Sequence, residues 1–539
     1  MSSNTKPGLI DHARHILGRV KTGLDNGREI KNFFGNAGGW NIQGADGQKS
    51  SMLIFSLVDW HYTIQIELIL ARLAEAGGCK AYLAGSEMAK KYWKAMGYGA
   101  DRFVPWLELE NEYKEAAAKE VQTVLSSNPS FEHLKSYAYN GVEAGKHTLS
   151  AVGRTLFRAL FDPMSDDCLP KVRKHLTTTV MKAMVMQKII DDYKVEQVLI
   201  NEPNYYNAGI SQTALANGRP FLQFCHAYQE NAFVLKRYFA GNRAVNPISL
   251  SASSWKSLTS NPLSTEMQND INAVIDEKYS GRNMLSRRIG LDAPQMGRDE
   301  LVKKLGLDPA RRTAVVFSHV LWDANMFWGK DLYEKGAEEW LIETVRLAMC
   351  NKNMNWIIKV HPANVWKMKQ AGKDISYNDV NAVKKEFGQL PDNFKILLPE
   401  EKVNPLSLFQ SIDVGVTIMG TVGIELPVFG VPCITAGTGR YSAHGFTLDP
   451  VNKTEYENMI LNAHKLNKLD QPSMELARKY FWGIYKGRVW QSSLYSAKTQ
   501  SENVSDQRIV LKPFADISSE DRRMIEFMSN TGEEDYFSL

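Results

Sequence analysis

The sequence predicts an α/β protein of two Rossmann-like, doubly wound domains facing across a cleft, the first with a helical insertion. Three observations predict it. From residue 313 to 490, short apolar runs rich in strand formers alternate with stretches of helical periodicity, which means a parallel sheet covered on both faces. A similar alternation opens at residue 51. The length of 539 residues also exceeds what a single core serves.

Residues 1–50 form an N-terminal segment. Within it "HARHILGRVKTGLDNGREIKNFF" sets Arg and Lys among apolar residues at roughly helical spacing. Such a basic amphipathic helix either lies on an anionic membrane face or packs on its own domain. The first domain spans 51–262. "SMLIFSLVDWH" (51–61) reads as a buried strand, "YTIQIELILARLAEAGG" as a helix with a Gly-Gly stop, and "KAYLAGS" (80–86) as the next strand. Residues 88–190 are mostly helical, with stretches such as "EYKEAAAKEVQTVL". The sheet pattern resumes at "VEQVLINEP" (195–203) and "PFLQFCH" (220–226), with a helix near "GISQTALANG" between them.

Polar, Ser/Asn/Pro-bearing turns around a helix near 264–281 make 263–312 the inter-domain crossing. The second domain, 313–490, has strands at 313–320, 355–362, 394–399, 414–420 and 431–437 with helices between them. Residues 491–539 read as a polar C-terminal tail.

Composition narrows the function classes. A hydrophobic share of 44% and a charged share of 23% are those of an ordinary globular protein. A net charge of +4 supplies no wide basic field, so nucleic acid is not the expected partner. Five scattered cysteines without Cys-x-x-Cys spacing argue against a disulfide framework or a zinc knuckle and fit a reducing compartment. The chain has neither an apolar stretch of about 18 residues nor a secretory signal core. A cytoplasmic location follows as the expectation, and the membrane-facing reading of the N-terminal segment allows peripheral association at the inner membrane face as the alternative.

Open α/β sheets bind ligands at the carboxyl ends of their strands, so the chemistry is sought there. The run 414–420 ends in "GTVGIE": Gly420 and Gly423 let the backbone approach a ligand, and Thr421 adds a hydroxyl. Free amides at the helix start suit a phosphate, and Glu425, one turn in, is placed to accept from ribose hydroxyls. Equally, this is a tight strand-helix turn with a first-turn acid. "IIKVHPAN" sets His361 and Pro362 at another strand end with Lys359 nearby, where an imidazole can steady charge on a departing phosphate. "FSHVLWDAN" offers Ser318, His319 and Asp323 at a third.

In the first domain, "LVDWHY" supplies Asp59 and His61 as candidate bases, with Trp60 and Tyr62 as sugar-facing aromatics. An N-cap role for Asp59 is the plainer alternative. Glu202 in "LINEPNYY" is a second carboxylate of the acceptor side. The chain has no Asp-x-Asp triplet, the paired carboxylates that hold a sugar nucleotide through a divalent metal. The expectation is therefore metal-independent handling of the donor, with no cofactor beyond the nucleotide sugar itself.

"KVHP", followed by "GTVGIELPVFGVPCITAGTGRYSAHGFTLDP", resembles the C-terminal half of bacterial capsule- and surface-polysaccharide glycosyltransferases, including Kdo transferases. The last part of the resemblance lies in Gly439, Tyr441, Gly445, Thr447 and Asp449, with Arg440 adding a cation. It covers about 310–450; over the N-terminal half only strand order and "VLINEPNYYNAGISQTALANGRPFLQF" agree. The resemblance implies a GT-B architecture, donor in the second domain and acceptor in the first. It also implies donor-phosphate contacts from His361 and Thr421, ribose or sugar contacts from Glu425, and a CMP-sugar such as CMP-Kdo as donor. The implied acceptor is a surface or capsular glycan, free or lipid-linked. The same frame serves a nucleotide-sugar epimerase or a CDP-glycerol glycerophosphotransferase, and a non-catalytic polysaccharide assembly factor is the reading from another class.

Overall fold

The computed structural model describes residues 26–35, 38–40, 50–229, 231–279, 291, 293–322, 326–370, 372, 374–498 and 507–539. Most of the expected amphipathic segment and Asp323 lie outside the described residues, and so does part of the crossing; residues 26–33 are helical. The chain divides into two compact units. One comprises Met1–Trp106, Lys194–Ile200 and Trp490–Gly532, the other Leu107–Tyr193, Asn201–Val489 and Glu533–Leu539.

In the first unit, β1 (Ser50–Ser56) leads through α1 (His61–Ala76) to β2 (Cys79–Gly85). β1 pairs in parallel with β2 on one side and with β3 (Gln197–Ile200) on the other. Met52, Leu53 and Ile54 are fully buried, so successive residues on both faces of β1 are covered. That is why this strand reads as a continuous apolar run. The helix Ser519–Ser529 of the last segment belongs to this unit and buries Met524, Phe527 and Met528, an i, i+3, i+4 stripe. An antiparallel pair, Tyr495–Lys498 with Arg508–Leu511, precedes it.

The second unit begins with the helical stretch the sequence predicts. The helices α2 (Trp106–Ser126), α3 (Ala144–Leu156) and α4 (Leu169–Tyr193) share a core built on Val121, Val152, Leu176 and Val180. Two antiparallel strands follow, β4 (Phe221–His226) and β5 (Phe233–Tyr238). The sequence reading does not contain β5, because Lys236 and Arg237 interrupt it. Both are fully buried. Lys236 Nζ lies 3.2 Å from Asp535 Oδ1, a residue from the chain's last segment that also receives the Ser251 N–H. A partner 299 positions away makes the buried cation tolerable.

Five parallel strands then form one sheet in the order β10-β9-β6-β7-β8. They are β6 (Arg312–Phe317), β7 (Met354–Lys359), β8 (Phe394–Leu397), β9 (Val414–Thr417) and β10 (Cys433–Thr435). Ala314 and Val316 enter the cluster around Trp340, Trp356 and Tyr456. Val315 and Phe317 enter the cluster around Phe409 and Leu426 on the opposite face. This period-2 division leaves neither face to solvent. The chain is thus α/β with parallel sheets, as predicted. Among the described residues no helix is long and apolar enough to cross a membrane.

Close packing in the second unit depends on Gly209, in the helix Ala208–Ala216. A Cβ there would stand 2.2 Å from the Thr179 carbonyl oxygen and 2.9 Å from the Ala183 amide nitrogen of α4. Gly209→Ala is expected to lower stability by about 2 kcal/mol, measured by urea unfolding, although alanine is the better helix former.

Candidate functional site

The topology of the five-stranded sheet singles out one place. The chain enters at β6, steps outward to β7 and β8, then crosses back to β9 and β10 on the other side. The loops after β6 and β9 therefore depart in opposite directions and leave a crevice at the carboxyl ends. Register fixes what meets there. Phe317 pairs with Lys359, so His319 and His361, each two residues further on, come abreast. Their ring centroids are 6.3 Å apart. Val316 pairs with Val416 on the other flank, so the Gly420–Thr421 turn issues beside the His319 loop.

The two imidazoles hold complementary hydrogen bonds. His361 Nδ1 accepts the Ala363 N–H at 3.1 Å, at the start of α5 (Ala363–Gln370). A neutral ring in that role carries its proton on Nε2, as a donor. His319 Nδ1 lies 3.0 Å from the Val320 carbonyl, which only accepts, so its proton is on Nδ1. Pro362 separates His361 from α5, and Lys359 ends β7 half-buried.

Ser318, expected to meet a phosphate, is engaged elsewhere. It is 4% exposed; its Oγ accepts the His361 N–H at 3.0 Å and donates to Asp379 Oδ2 at 2.7 Å. Asp379 is fully buried at the start of the helix Asn378–Phe387, and burial raises its pKa despite the Ser318 hydrogen bond. Sequence reasoning missed this residue, which holds the His361 backbone through Ser318.

At the β9 turn, the Gly420 N–H donates to Thr417 Oγ1 at 3.1 Å and the Gly423 N–H to the Gly420 carbonyl at 3.1 Å. Among the described residues, the Thr421 hydroxyl has no side-chain capping bond to α6 (Val422–Val428). The close approach that Gly423 permits is to the protein itself. A Cβ there would lie 2.2 Å from the Tyr441 hydroxyl oxygen. Tyr441 is fully buried and donates to the Gly420 carbonyl at 2.7 Å. The segment bearing Tyr441 is in turn tied down by Asp449, which accepts from Thr435 Oγ1 at 2.8 Å, Thr447 Oγ1 at 2.9 Å and the Ala443 N–H at 2.9 Å.

Glu425 is withdrawn from solvent. It is 1% exposed, and its Oε1 lies 2.9 Å from Lys278 Nζ. Lys278, in the helix Thr265–Tyr279, sits over the rings of Tyr485 (4.1 Å) and Tyr228 (4.5 Å) and also bonds the Tyr485 hydroxyl. Arg440 donates to Tyr228 Oη at 3.0 Å. A first-turn acid on α6 thus points into the interior, and a ribose would reach it only if Lys278 moved. The apolar spacing of α6, with Ile424, Leu426 and Val428 buried, gives no warning that Glu425 is buried as well.

Asp331, also absent from the sequence reading, lies on a segment bridged to Gly437 beside β10. Its Oδ1 is buried without a hydrogen-bond partner among the described residues. Desolvation pushes its carboxyl up to about 7, against the opposing charge of Lys135. Glu202 is exposed at the start of the loop after β3 and accepts the Asn204 N–H at 3.1 Å. Three residues on, Tyr205 adopts φ +53°, a strained choice for an aromatic residue.

In the first unit, Asp59 is exposed and Trp60 is 56% exposed ahead of α1. His61 is half-buried, with Nδ1 2.8 Å from Tyr92 Oη and Nε2 3.2 Å from Asn26 Oδ1. Burial lowers its pKa, partly opposed by Glu29. Both ring nitrogens are occupied, whereas the Asp59 side chain is exposed. Tyr62 is 2% exposed and presents no face to a sugar, since α1 turns it inward.

Two outcomes follow from these geometries. Lys278→Met leaves the Glu425 carboxylate buried without its cation and is expected to cost about 3 kcal/mol in chemical denaturation, most of it recovered by adding Glu425→Leu. The Asp331 carboxyl titrates near 3.8 when unfolded and near 7 when folded. Its contribution to stability is full below the unfolded value and is lost as the pH rises through the folded one. Asp331→Asn should therefore raise the melting temperature relative to the parent at pH 8 and leave it little changed at pH 3.

No protein-family profile matches the chain, and no curated protein sequence matches it. Solved structures to which it is similar include two from Thermosulfurimonas dismutans KpsC. The beta Kdo 2,4 transferase is 14% identical with a TM-score of 0.32, over 53% of this chain and 79% of that one. The beta Kdo 2,7 transferase is 14% identical with a TM-score of 0.32, over 65% and 90%. The UDP-GlcNAc 2-epimerase of Neisseria meningitidis, bound to UDP-GlcNAc, is 10% identical with a TM-score of 0.26, over 81% and 96%.

Proposed function

We propose that the protein is a glycosyltransferase that takes its sugar from a nucleotide donor held at the carboxyl edge of β9, β6 and β7. One observation carries this reading: two histidines and the Thr421 turn leave three adjacent strands at the switch point of one parallel sheet. Such a point is where open α/β sheets take up ligands. The donor set there is suited to an anion. His361 and His319 bring two imidazoles, which bind phosphate more strongly when protonated, and Thr421 brings a hydroxyl.

In the reaction the bond from the anomeric carbon to the phosphate oxygen breaks, and the phosphate leaves with the electron pair. The acceptor oxygen forms the new bond to that carbon and gives its proton to a carboxylate, for which Asp59 is the proposed base. Donors fixed before the reaction stabilise the charge growing on the phosphate, because they need not reorganise as it develops. This set of N–H and O–H groups handles the leaving group without a metal. Glu425 serves from within, fixing Lys278 and the floor beneath the turn. The resemblance of "KVHP" and "GTVGIE" favours a CMP-sugar, CMP-Kdo first, and a surface or capsular glycan as acceptor, lipid-linked at the inner membrane face.

A thermal-shift panel of CMP-, UDP-, GDP- and CDP-sugars tests the donor site, since a ligand at 100 times its Kd adds about 2.7 kcal/mol of stability. One nucleotide class should raise the melting temperature, and His361→Ala and Thr421→Val should each weaken its binding about tenfold or more. Asp59→Asn should leave that shift intact while lowering kcat about a hundredfold. EDTA should change neither. No shift with any nucleotide would remove the reading, and conversion of a nucleotide sugar with no acceptor present would make the protein an epimerase instead.

A further inference from the structure

The helical stretch of the second unit contains a groove of about 650 Å³ between α2 and α4, within the size range of ligand sites. Its walls carry Lys114 from α2 and Arg173 and Lys174 from α4. Glu110 and Asn111 stand among these cations, and Met181 supplies an apolar patch. Along α4, Lys174, Thr178 and Met181 fall on one helical face, so cation, hydroxyl and apolar surface follow one another along the groove.

On the face of α4 next to that stripe, His175 and Lys182 hold an aromatic side chain. Tyr206, in the loop after β3, is 43% exposed. Lys182 Nζ sits 4.5 Å from its ring centroid, and the His175 ring stacks on it at 6.3 Å with an interplanar angle of 19°. Lys182 is itself 5% exposed and donates to Asn207 Oδ1 at 2.6 Å. Burial lowers its pKa to about 8 against the opposing field of Glu110, so the acid that lines the groove also acts on the cation beneath Tyr206. A ring held by a cation and a stacked imidazole loses little entropy when a ligand packs against its exposed part.

We propose that this groove, flanked by Tyr206 on the adjacent face of α4, binds an acidic oligosaccharide. The cations meet its carboxylates, Glu110 and Asn111 take its hydroxyls, and Met181 and the Tyr206 ring cover the C–H faces of the sugar rings. A nucleic acid fits less well, because a net charge of +4 supplies no wide basic field to track a phosphate chain. That the groove docks the acceptor of glycosyl transfer rests on the function proposed above; that it binds the glycan does not.

The test is titration calorimetry of the full chain with hexagalacturonate, with no nucleotide present. Its result is therefore independent of the donor site. Binding is expected to be about tenfold or more tighter than for neutral maltohexaose and to weaken with salt. Arg173→Glu with Lys174→Glu should weaken it by about tenfold or more, and Tyr206→Ala by about tenfold, at unchanged melting temperature. Lys171→Glu, on the same helix but outside the groove, should leave it unchanged. Absent binding, equal binding of maltohexaose, indifference to the groove variants, or equally tight binding of a single-stranded oligonucleotide each overturns the proposal.

Discussion

Val316 pairs with Ile358 on one side and with Val416 on the other, and the candidate site depends on that register. All three side chains are at most 1% exposed. Slipping one strand by a single residue would send its alternate residues into the opposite core, so apolar burial enforces the alignment. The alignment reaches past the strands. It brings His319 level with His361 and puts the Gly420–Thr421 turn next to them. Chemistry at the sheet edge is therefore positioned by packing several residues away from it.

The turn is held from below by a second constraint. Tyr441 occupies the space that Gly423 leaves and bonds the Gly420 carbonyl, while Asp449 gathers three donors around the Tyr441 segment. Glu425 and Lys278 add a buried ion pair with two tyrosine rings about the ammonium group. Pairs of this kind contribute little net stability when intact and cost several kcal/mol when one partner is lost. Their effect here is to give the first turn of α6 a single arrangement.

Much of the site is legible in the amino-acid sequence. "GTVGIE", "KVHP" and "FSH" each close a strand-forming run, and a parallel sheet is the architecture that gathers such ends. Local pattern does not reveal which of these groups are already spent inside the protein. Ser318 has the look of a ligand hydroxyl but bridges His361 and Asp379. Tyr62 sits beside exposed Trp60 in sequence yet faces the core. Asp331 belongs to no motif, and only the loss of solvent around it lifts its carboxyl toward neutrality.

The sequence by itself determined the alternation of strands and helices, the parallel character of the sheet, and the residue types at its carboxyl edge, because all of these follow from local periodicity and from Gly and Pro at run ends. Tertiary structure alone decided that β5 is a strand despite Lys236 and Arg237, that Glu425 pairs with Lys278, and that Gly423 makes room for Tyr441. Each of these turns on partners far apart in the chain, Asp535 for Lys236 being the most distant. Whether a buried charge is tolerable depends on what folding brings beside it, and no local pattern encodes that.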